Sequence, residues 1–294
     1  MANVNKIDLV IPYVNNKDLN WQKSFLDFAK RNGYYKRMAS MNGLRYANDI
    51  DLISYQLRLV EKNMPWINTI HLLLSNKGQE PSYIPKNCVI VYHKDFIPQK
   101  HLPTFNSCTI EMFLWNIPNL SEKFIYANDD MLPIKPLKPS DFYYNGKIKM
   151  NFMHDNFDKS MKEYKRQCYN SYRDCQRISD LTYNKEYFEF PEHTMTPMIL
   201  SDCKECFEKM KSYIIPQIRG FRNEYQHNQY IYPLFNHLYR GSYPSKIKFY
   251  YTHLDEPCHY LLNELANNDI ICVNATQEKN DIKLLKEYLD KLCE

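Results

Sequence analysis

The sequence predicts an α/β protein built on a mostly parallel β-sheet, and three features of its first half lead to this prediction. Short apolar runs that suit buried strands recur at residues 7–11, 67–74, 88–92 and 124–127. Segments with helical spacing of apolar residues lie between them, so strands and helices alternate as they do in parallel sheets. Polar residues follow the strands, and such sheets bind ligands outside the carboxyl ends of their strands.

The first strand and helix carry the clearest local signals. Ile7 to Ile11 is an apolar run that ends at Pro12 and opens into a polar turn. Asp18 is predicted to cap the helix that follows, from Leu19 to Arg31, because its carboxylate can accept hydrogen bonds from the first N–H groups of that helix. A second helix is predicted from Asp49 to Asn63, where its apolar residues recur at helical spacing.

The pattern changes after residue 149. Residues 150–190 are polar, tyrosine-rich and weakly periodic, which predicts a helical insertion or lid. The predicted organisation is therefore one α/β domain carrying the catalytic site, made of residues 1–149 and 191–294, with that insertion between its two parts. Further helices are predicted at 201–213, 224–239, 259–266 and 281–292, and further strands at 247–251 and 270–273.

Composition limits the classes of function. The chain has 294 residues, which is long enough for one domain plus an insertion. Its net charge of +4 and pI of about 8.4 suit an anionic ligand, but no cluster of Lys and Arg indicates nucleic-acid binding. The 25 Tyr and 15 Phe against 6 Gly fit either stacking surfaces for bases and sugar rings or a tyrosine-rich core.

Cysteine usage and hydropathy predict a cytoplasmic protein. Nine cysteines without framework spacing, after an N-terminus unlike a signal peptide, favour reduced thiols. Cys203 and Cys206 form a C-x-x-C pair with Cys168 and Cys175 upstream, but this spacing is poor for structural zinc. No apolar run reaches the roughly 18–20 residues of a membrane span, so only peripheral association at the inner face of the membrane stays open.

The strongest local signal is the acidic pair Asp129–Asp130, directly after the apolar run at 124–127. Hard divalent cations prefer oxygen ligands, and Mg²⁺ commonly binds one or two carboxylates together with phosphate oxygens. Two acids at a strand end can equally be a solvated turn or a helix cap. The local sequence leaves both interpretations open.

Two single residues are candidates for catalysis. His193 is a candidate general base because imidazole titrates near neutral pH, although a lone histidine is more often structural. Arg222 precedes a predicted helix and could bind a phosphate with two parallel hydrogen bonds, with a surface ion pair as the alternative. The glycine fingerprint of dinucleotide-binding domains, the P-loop and the nucleophilic serine elbow do not occur in the sequence.

Several segments follow, in order, the conserved blocks of one known family. Asp8 to Asp18 matches Asp-x-Val-x-x-Trp-Val-Asn-Gly-x-Asp, with Tyr13 for the tryptophan and Asn16 for the glycine. Tyr55 to Trp66 resembles Tyr-Ser-Leu-Arg-Ser-x-Glu-x-x-x-Pro-Trp and is part of the most specific block. The same block continues in Leu102 to Ser107, Ile110–Glu111, Asn116 to Asp130 and Pro139 to Tyr143.

Fewer residues match the later blocks of the family. His193 matches a family histidine, Arg222 matches a family arginine, and Ile271 to Asn274 resembles x-Cys-x-Asn-Asp with Ala275 in place of the acid. From about residue 7 to 275 the sequence thus resembles the Stealth family, the sugar-1-phosphate transferases of bacterial capsule synthesis. Their animal relative is the lysosomal-enzyme GlcNAc-1-phosphotransferase.

This resemblance implies a Rossmann-like, GT-A-like nucleotide-sugar fold. It implies transfer of hexose- or HexNAc-1-phosphate from a UDP-sugar, such as UDP-GlcNAc, to a hydroxyl of a glycan acceptor, with release of UMP. Mg²⁺ or Mn²⁺ would be held by Asp129 and Asp130, Arg222 would stabilise the transferring phosphoryl group, and His193 would be the base. The implied substrate-binding residues are Asp8, Tyr13, Asn15, Arg58, His93, Asn106 and Asn274.

Two other functions stay open on the sequence alone. A metal-dependent glycosyltransferase would attack the anomeric carbon and release UDP instead of UMP. A non-catalytic glycan- or nucleotide-binding relative stays open because Ala275 replaces the family acid.

Overall fold

The structure is a computed structural model in which helices accompany a mostly parallel central sheet, so the α/β prediction is confirmed. The structure describes residues 6–34, 51–178, 187–253, 264–274 and 279–294.

The strands form one larger sheet and three smaller ones. In chain order they are β1 (Ile7–Pro12), β2 (Ile70–Leu74), β3 (Cys88–Tyr92), β4 (Lys123–Tyr126), β5 (Met131–Pro133), β6 (Tyr143–Tyr144), β7 (Lys147–Ile148), β8 (Phe152–Asn156), β9 (Tyr187–Pro191), β10 (Thr196–Ile199), β11 (Phe249–His253) and β12 (Ile270–Asn274). The central sheet has the order β10-β4-β1-β2-β3, with β1 and β2 parallel and β10 antiparallel to β4. A second sheet has the order β11-β12-β5, and β6–β7 and β8–β9 are antiparallel pairs.

The helices range from one turn to four. In chain order they are α1 (Leu19–Arg31), α2 (Leu52–Asn63), α3 (His93–Phe96), α4 (Ser107–Glu111), α5 (Pro139–Phe142), α6 (Glu163–Ile178), α7 (Leu200–Ile214), α8 (Ile231–Arg240) and α9 (Lys279–Cys293). Within the described ranges, no helix combines the length and the apolar character needed to cross a membrane.

Helix α1 forms where the sequence predicts it. Asp18 Oδ1 accepts a hydrogen bond from the N–H of Asn20 at 3.0 Å, which confirms the predicted cap. Trp21, Phe25 and Ala29 recur every four residues and are buried together on one face. Capping and this apolar stripe therefore fix both the start and the orientation of the helix.

The helix predicted at 224–239 is wrong over its first half, because α8 begins only at Ile231. Asn223 Oδ1 accepts the N–H of Tyr225 at 2.9 Å, and Asn228 Oδ1 accepts another N–H two residues further on at 3.3 Å. Asparagine side chains that bond to nearby backbone amides in this way favour turns over helix. The segment before α8 consequently consists of turns.

The chain divides into two compact units. The first unit comprises residues 1–8, 91–126 and 139–245, and the second comprises residues 9–90, 127–138 and 246–294. In the second unit, α2, β5, β12 and α9 share an apolar core. Its buried members are Leu59, Leu132, Ile134, Leu265, Ile271, Val273, Leu285 and Leu289.

In the first unit, α6, α7 and α8 pack on one another, and β8 and β9 pair beside α6. The described part of residues 150–190 therefore contains α6, β8 and most of β9, and its predicted role as a lid stays a prediction. The four cysteines of the possible zinc site are free, buried thiols. Among the described residues no group of three or more His, Cys, Asp or Glu side chains could hold a metal.

Candidate active site

The acidic pair lies in a tight turn that is held by a buried amide. The N–H of Met131 donates to Asn128 O at 3.2 Å, which closes the turn around Asp129 and Asp130. Gln56 of α2 is fully buried, and its Nε2 donates to the carbonyl oxygens of both Asn128 and Met131, at 2.7 Å each. The interior of the second unit therefore fixes the backbone that carries both carboxylates.

A second contact holds the same turn from the neighbouring strand. The N–H of Val273 in β12 donates to Asp130 O at 2.9 Å. The side chain of Asp130 is mostly buried, and that of Asp129 is half-buried. The turn is thus bonded to a helix on one side and to a strand on the other.

The turn carries two adjacent carboxylates, which are ligands of the kind that a hard divalent cation prefers. Two adjacent carboxylates on a fixed backbone offer oxygen ligands, and the described residues contain no third His, Cys, Asp or Glu placed to complete a metal cluster with them. An ion bound here would take its remaining ligands from water and phosphate oxygens. This is the ligand set that Mg²⁺ favours.

The loop after β1 is tied to the loop after β2. The backbone N–H of Asn15 donates to Gln79 Oε1 at 3.2 Å, and Gln79 Nε2 donates back to Asn15 O at 3.1 Å. Asp18 Oδ2 accepts from Gln79 Nε2 at 3.0 Å and from Asn76 Nδ2 at 3.1 Å. The N–H of Tyr13 donates to a β2 carbonyl at 3.0 Å. The structure therefore brings Tyr13 and Asn15 together in one ordered loop.

Asp8 lies apart from these two residues. It is buried near the start of β1, and its Oδ2 accepts the N–H of Ser121 at 2.8 Å. Tyr13 lies just beyond the opposite end of the same strand, five residues away, which is about 16 Å at the usual rise of an extended strand. The contact made by Asp8 holds the segment that leads into β4.

The first unit contains a histidine held by two tyrosines. Nδ1 of His193 lies 2.6 Å from the hydroxyl oxygen of Tyr230, and the hydroxyl of Tyr164 donates to the same oxygen at 3.2 Å. Both tyrosine rings meet the imidazole edge-on. Tyr230 is fully buried, and burial raises the pKa of its hydroxyl well above the ordinary value, so it stays protonated.

Arg222 lies beside a buried carboxylate. Its Nη2 donates to Ser107 Oγ at the start of α4. Glu111 at the end of α4 is buried and accepts hydrogen bonds from the Tyr126 hydroxyl at 3.2 Å and the Gln229 N–H at 2.8 Å. Burial raises the pKa of Glu111, and the charge of Arg222 and these hydrogen bonds offset only part of that rise.

The His193–Tyr230 pair and the Arg222–Glu111 pair are linked through the segment that precedes α8. Gln229 donates to Glu111, and the next residue, Tyr230, contacts His193. Glu163 at the start of α6 interacts electrostatically with Arg222, and the next residue is Tyr164. His193 and Arg222 are thus brought into one neighbourhood of the first unit.

Asn106 fixes the two loops of this neighbourhood to each other. Its Oδ1 caps α4 by accepting the N–H of Cys108 at 3.1 Å. Its Nδ2 donates to Arg219 O and to Gln226 Oε1, both at 3.0 Å. The buried side chain of Asn106 therefore positions the loop that carries Arg222.

Three predicted binding residues lie outside these groups. The guanidinium of Arg58 stacks 4.0 Å above the Tyr83 ring on the exposed side of α2. His93 is buried in α3, and burial lowers its pKa to about 4, so it is neutral at pH 7. Asn274 ends β12, opposite His253 of β11, and its side chain lies outside the described part of the chain.

Three residues that the sequence reasoning did not select have central positions here. They are Gln56 under the acidic turn, Glu111 beside Arg222 and Tyr230 against His193. Gln56 could have been identified from the sequence, because it is a polar residue on the apolar face of a predicted helix. Glu111 belongs to the Ile-Glu element of the second conserved block, whereas Tyr230 has no local signal.

Comparison with known proteins gives a family match to part of the chain and a relative that aligns with 96% of it. Residues 45–151 match the model of Stealth protein CR2, conserved region 2. The chain is 30% identical to the capsular polysaccharide phosphotransferase LcbA of Neisseria meningitidis, over 96% of this chain and 83% of LcbA. It is 38% identical to the capsular polysaccharide phosphotransferase WcwK of Streptococcus pneumoniae, over 49% of this chain and 43% of WcwK.

The match to WcwK thus spans less than half the length of that relative. Among solved structures, the galactosyltransferase LgtC in complex with donor and acceptor sugar analogues has a TM-score of 0.41 and 11% identity. That alignment covers 97% of this chain and 95% of LgtC.

Proposed function

The chain belongs to the Stealth family of capsular polysaccharide phosphotransferases, and from that premise we propose that it is a UDP-sugar-dependent sugar-1-phosphate transferase. It moves hexose- or HexNAc-1-phosphate from the UDP-sugar to a hydroxyl of a glycan acceptor. The products are a phosphodiester and UMP. The proposed setting is the cytoplasm, and the proposed partners are the donor and the acceptor glycan, without nucleic acid.

One observation carries this proposal. The chain aligns over 96% of its length with a capsular polysaccharide phosphotransferase at 30% identity. The arrangement in the first unit supports it, because His193 and Arg222 share a neighbourhood with the buried carboxylate of Glu111. A base and a phosphate-binding guanidinium are the groups that phosphoryl transfer to a hydroxyl requires.

We assign the acid–base and electrostatic roles to the first unit. His193 takes the proton of the acceptor hydroxyl at Nε2, since its Nδ1 faces Tyr230. Arg222 binds the oxygens of the transferring phosphoryl group and stabilises the charge that builds on them. Glu111 and Ser107 hold the guanidinium in place for that contact.

We assign cation binding to the acidic turn of the second unit. Asp129 and Asp130 would hold Mg²⁺ or Mn²⁺, and the bound ion would neutralise charge on a diphosphate. Gln56 keeps the two carboxylates in position through the backbone of the turn.

The remaining candidates divide into binding and positioning roles. We propose that Tyr13, Asn15, Arg58 and Asn274 contact the nucleotide-sugar. Asp8, His93 and Asn106 are buried, and we propose that they act by holding their segments in place.

The test is a product analysis with the full chain. It is incubated with a panel of UDP-sugars, a glycan acceptor and Mg²⁺, and UMP and UDP are quantified separately. Acceptor-dependent UMP supports the proposal. Acceptor-dependent UDP would identify a glycosyltransferase, and binding of UDP-sugar without either product would identify a non-catalytic relative.

A further inference from the structure

The imidazole of His193 is held at one nitrogen by a buried tyrosine. Its Nδ1 lies 2.6 Å from the hydroxyl oxygen of Tyr230, which is shorter than most hydrogen bonds between nitrogen and oxygen. Tyr230 is completely buried and immediately precedes α8, so its hydroxyl has little freedom to move. Tyr164 on α6 donates to the same oxygen at 3.2 Å. Helix α6 and the turn that leads into α8 thus fix the atom that faces His193.

The base role requires a particular tautomer of His193. A neutral imidazole that accepts a proton at Nε2 must carry its own proton on Nδ1, and the partner of one ring nitrogen selects the state of the other. A phenol oxygen has two lone pairs and can accept from Nδ1–H as well as from the hydroxyl of Tyr164. The 2.6 Å separation fits an Nδ1–H that donates to Tyr230 as well as a Tyr230 hydroxyl that donates to Nδ1, and the base role requires the first arrangement.

We propose that Tyr230 is a positioning residue that selects the Nδ1-protonated tautomer of His193 and so leaves Nε2 unprotonated for the acceptor hydroxyl. This inference rests on the proposed function. As the acceptor oxygen forms its bond to the sugar-bound phosphorus, the bond from that phosphorus to the UMP oxygen breaks. The hydroxyl proton passes to Nε2, while the proton on Nδ1 stays between His193 and Tyr230.

The first experiment measures the tautomer directly. The full chain is labelled with ¹⁵N-histidine, and long-range ¹H–¹⁵N correlation spectra are recorded above the titration range of histidine. The His193 signals are assigned from their loss in His193→Gln. We expect a protonated Nδ1 and an unprotonated Nε2 in the unmodified protein, and a shift toward the Nε2-protonated form in Tyr230→Phe.

Either of two spectra would overturn the inference: Nε2 protonated in the unmodified protein, or the same tautomer in Tyr230→Phe. Because this measurement needs no turnover, it decides the role of Tyr230 separately from the proposed reaction. Failure of the reaction would appear instead as an absence of UMP in the product analysis.

The second experiment compares two buried tyrosines in the active protein. Tyr230→Phe should lower kcat by about 10–100-fold with KM for the UDP-sugar changed by less than about threefold, because a misplaced proton affects the chemical step and not ground-state binding. The matched control is Tyr232→Phe, which removes a buried hydroxyl two residues away that donates to Met112 O at 2.8 Å. Melting temperatures are measured to check that both variants fold.

Tyr164→Phe adds a graded variant, since it removes the hydroxyl that donates to Tyr230 and leaves the contact with His193 in place. We expect its kcat to lie between those of the unmodified protein and Tyr230→Phe. Equal losses of kcat in Tyr230→Phe and Tyr232→Phe would contradict the inference, because they would indicate only a packing role.

Discussion

The acidic turn of the second unit and the buried glutamate of the first unit use carboxylates in different ways. Around Asp129 and Asp130, the fixing contacts from Gln56 and β12 go to main-chain oxygens of the turn. At Glu111, the hydrogen bonds go to the carboxylate itself, which is buried. A backbone fixed through its main-chain oxygens leaves the two carboxylates available for an exchangeable ligand such as a cation. A buried, hydrogen-bonded carboxylate suits a permanent partner such as Arg222.

Removing the charges of the turn should have the largest effect. In Asp129→Asn/Asp130→Asn we expect kcat to fall by about a thousandfold, since a lost divalent cation removes several kcal/mol of charge stabilisation. The measurement is UMP production as a function of Mg²⁺ concentration. The control is Asp27→Asn on the exposed face of α1. An unchanged Mg²⁺ dependence in the double variant would show that the ion binds elsewhere.

Neutralising Glu111 should separate stability from activity. Glu111→Gln keeps the size of the side chain but removes the negative charge beside Arg222, so we expect kcat to fall by about 10–100-fold.

The same variant should be more stable than the unmodified protein at pH 8. The pKa of Glu111 is raised in the folded state from its ordinary 4.5, so the carboxyl favours folding below pH 4.5, and this contribution is lost as the pH rises through the raised pKa. Glutamine stays neutral at every pH, so the variant keeps this contribution to folding stability at pH 8. Chemical denaturation at pH 8 and pH 4 checks this, and a lower stability of the variant at pH 8 would show that the charge of Arg222 and the acceptor oxygen that glutamine lacks together outweigh burial.

Removing the amide under the turn should have an intermediate effect. Gln56→Leu removes the side-chain donor from two carbonyl oxygens, and because Asn128 O keeps the Met131 N–H, the free energy of unfolding should fall by about 1–3 kcal/mol. It should also raise the Mg²⁺ concentration needed for half-maximal activity. Asn63→Leu is the matched control, because Asn63 on the same helix donates to Pro133 O at 2.7 Å, away from the acidic pair. Both variants should lose stability, and a shifted Mg²⁺ requirement in both would contradict the role of Gln56.

The acid that caps α1 should have the smallest effect on turnover. Asp18→Ala removes this cap and two side-chain hydrogen bonds from the loop after β2, and it should lower the free energy of unfolding by about 1–2 kcal/mol. Thermal unfolding measures this change. Loss of turnover at unchanged stability would instead assign Asp18 to substrate binding.

Local features of the fold could be predicted from the sequence, because neighbouring residues determine them. Strand β1, the Asp18 cap and the acidic pair after β4 each follow from a few consecutive residues. Contacts between distant residues could not be predicted in the same way. Gln56 reaches Asn128 across 72 positions, and Gln229 reaches Glu111 across 118.

The prediction for residues 224–239 failed for a local reason. Apolar spacing indicates a helix there, but the side chains of Asn223 and Asn228 accept hydrogen bonds from backbone N–H groups two residues further on, and these bonds favour turns. Those turns carry Tyr230 to His193, so the irregular segment forms part of the candidate site.

The fate of the sugar-bound phosphate tests the proposed reaction most directly. The full chain is incubated with Mg²⁺, a glycan acceptor and a UDP-sugar whose β-phosphate carries ³²P, and the label is traced by chromatography. Phosphoryl transfer predicts label in the acceptor glycan as a phosphodiester, together with unlabelled UMP. Label that stays in UDP would contradict the proposal, because the sugar would then have moved without its phosphate.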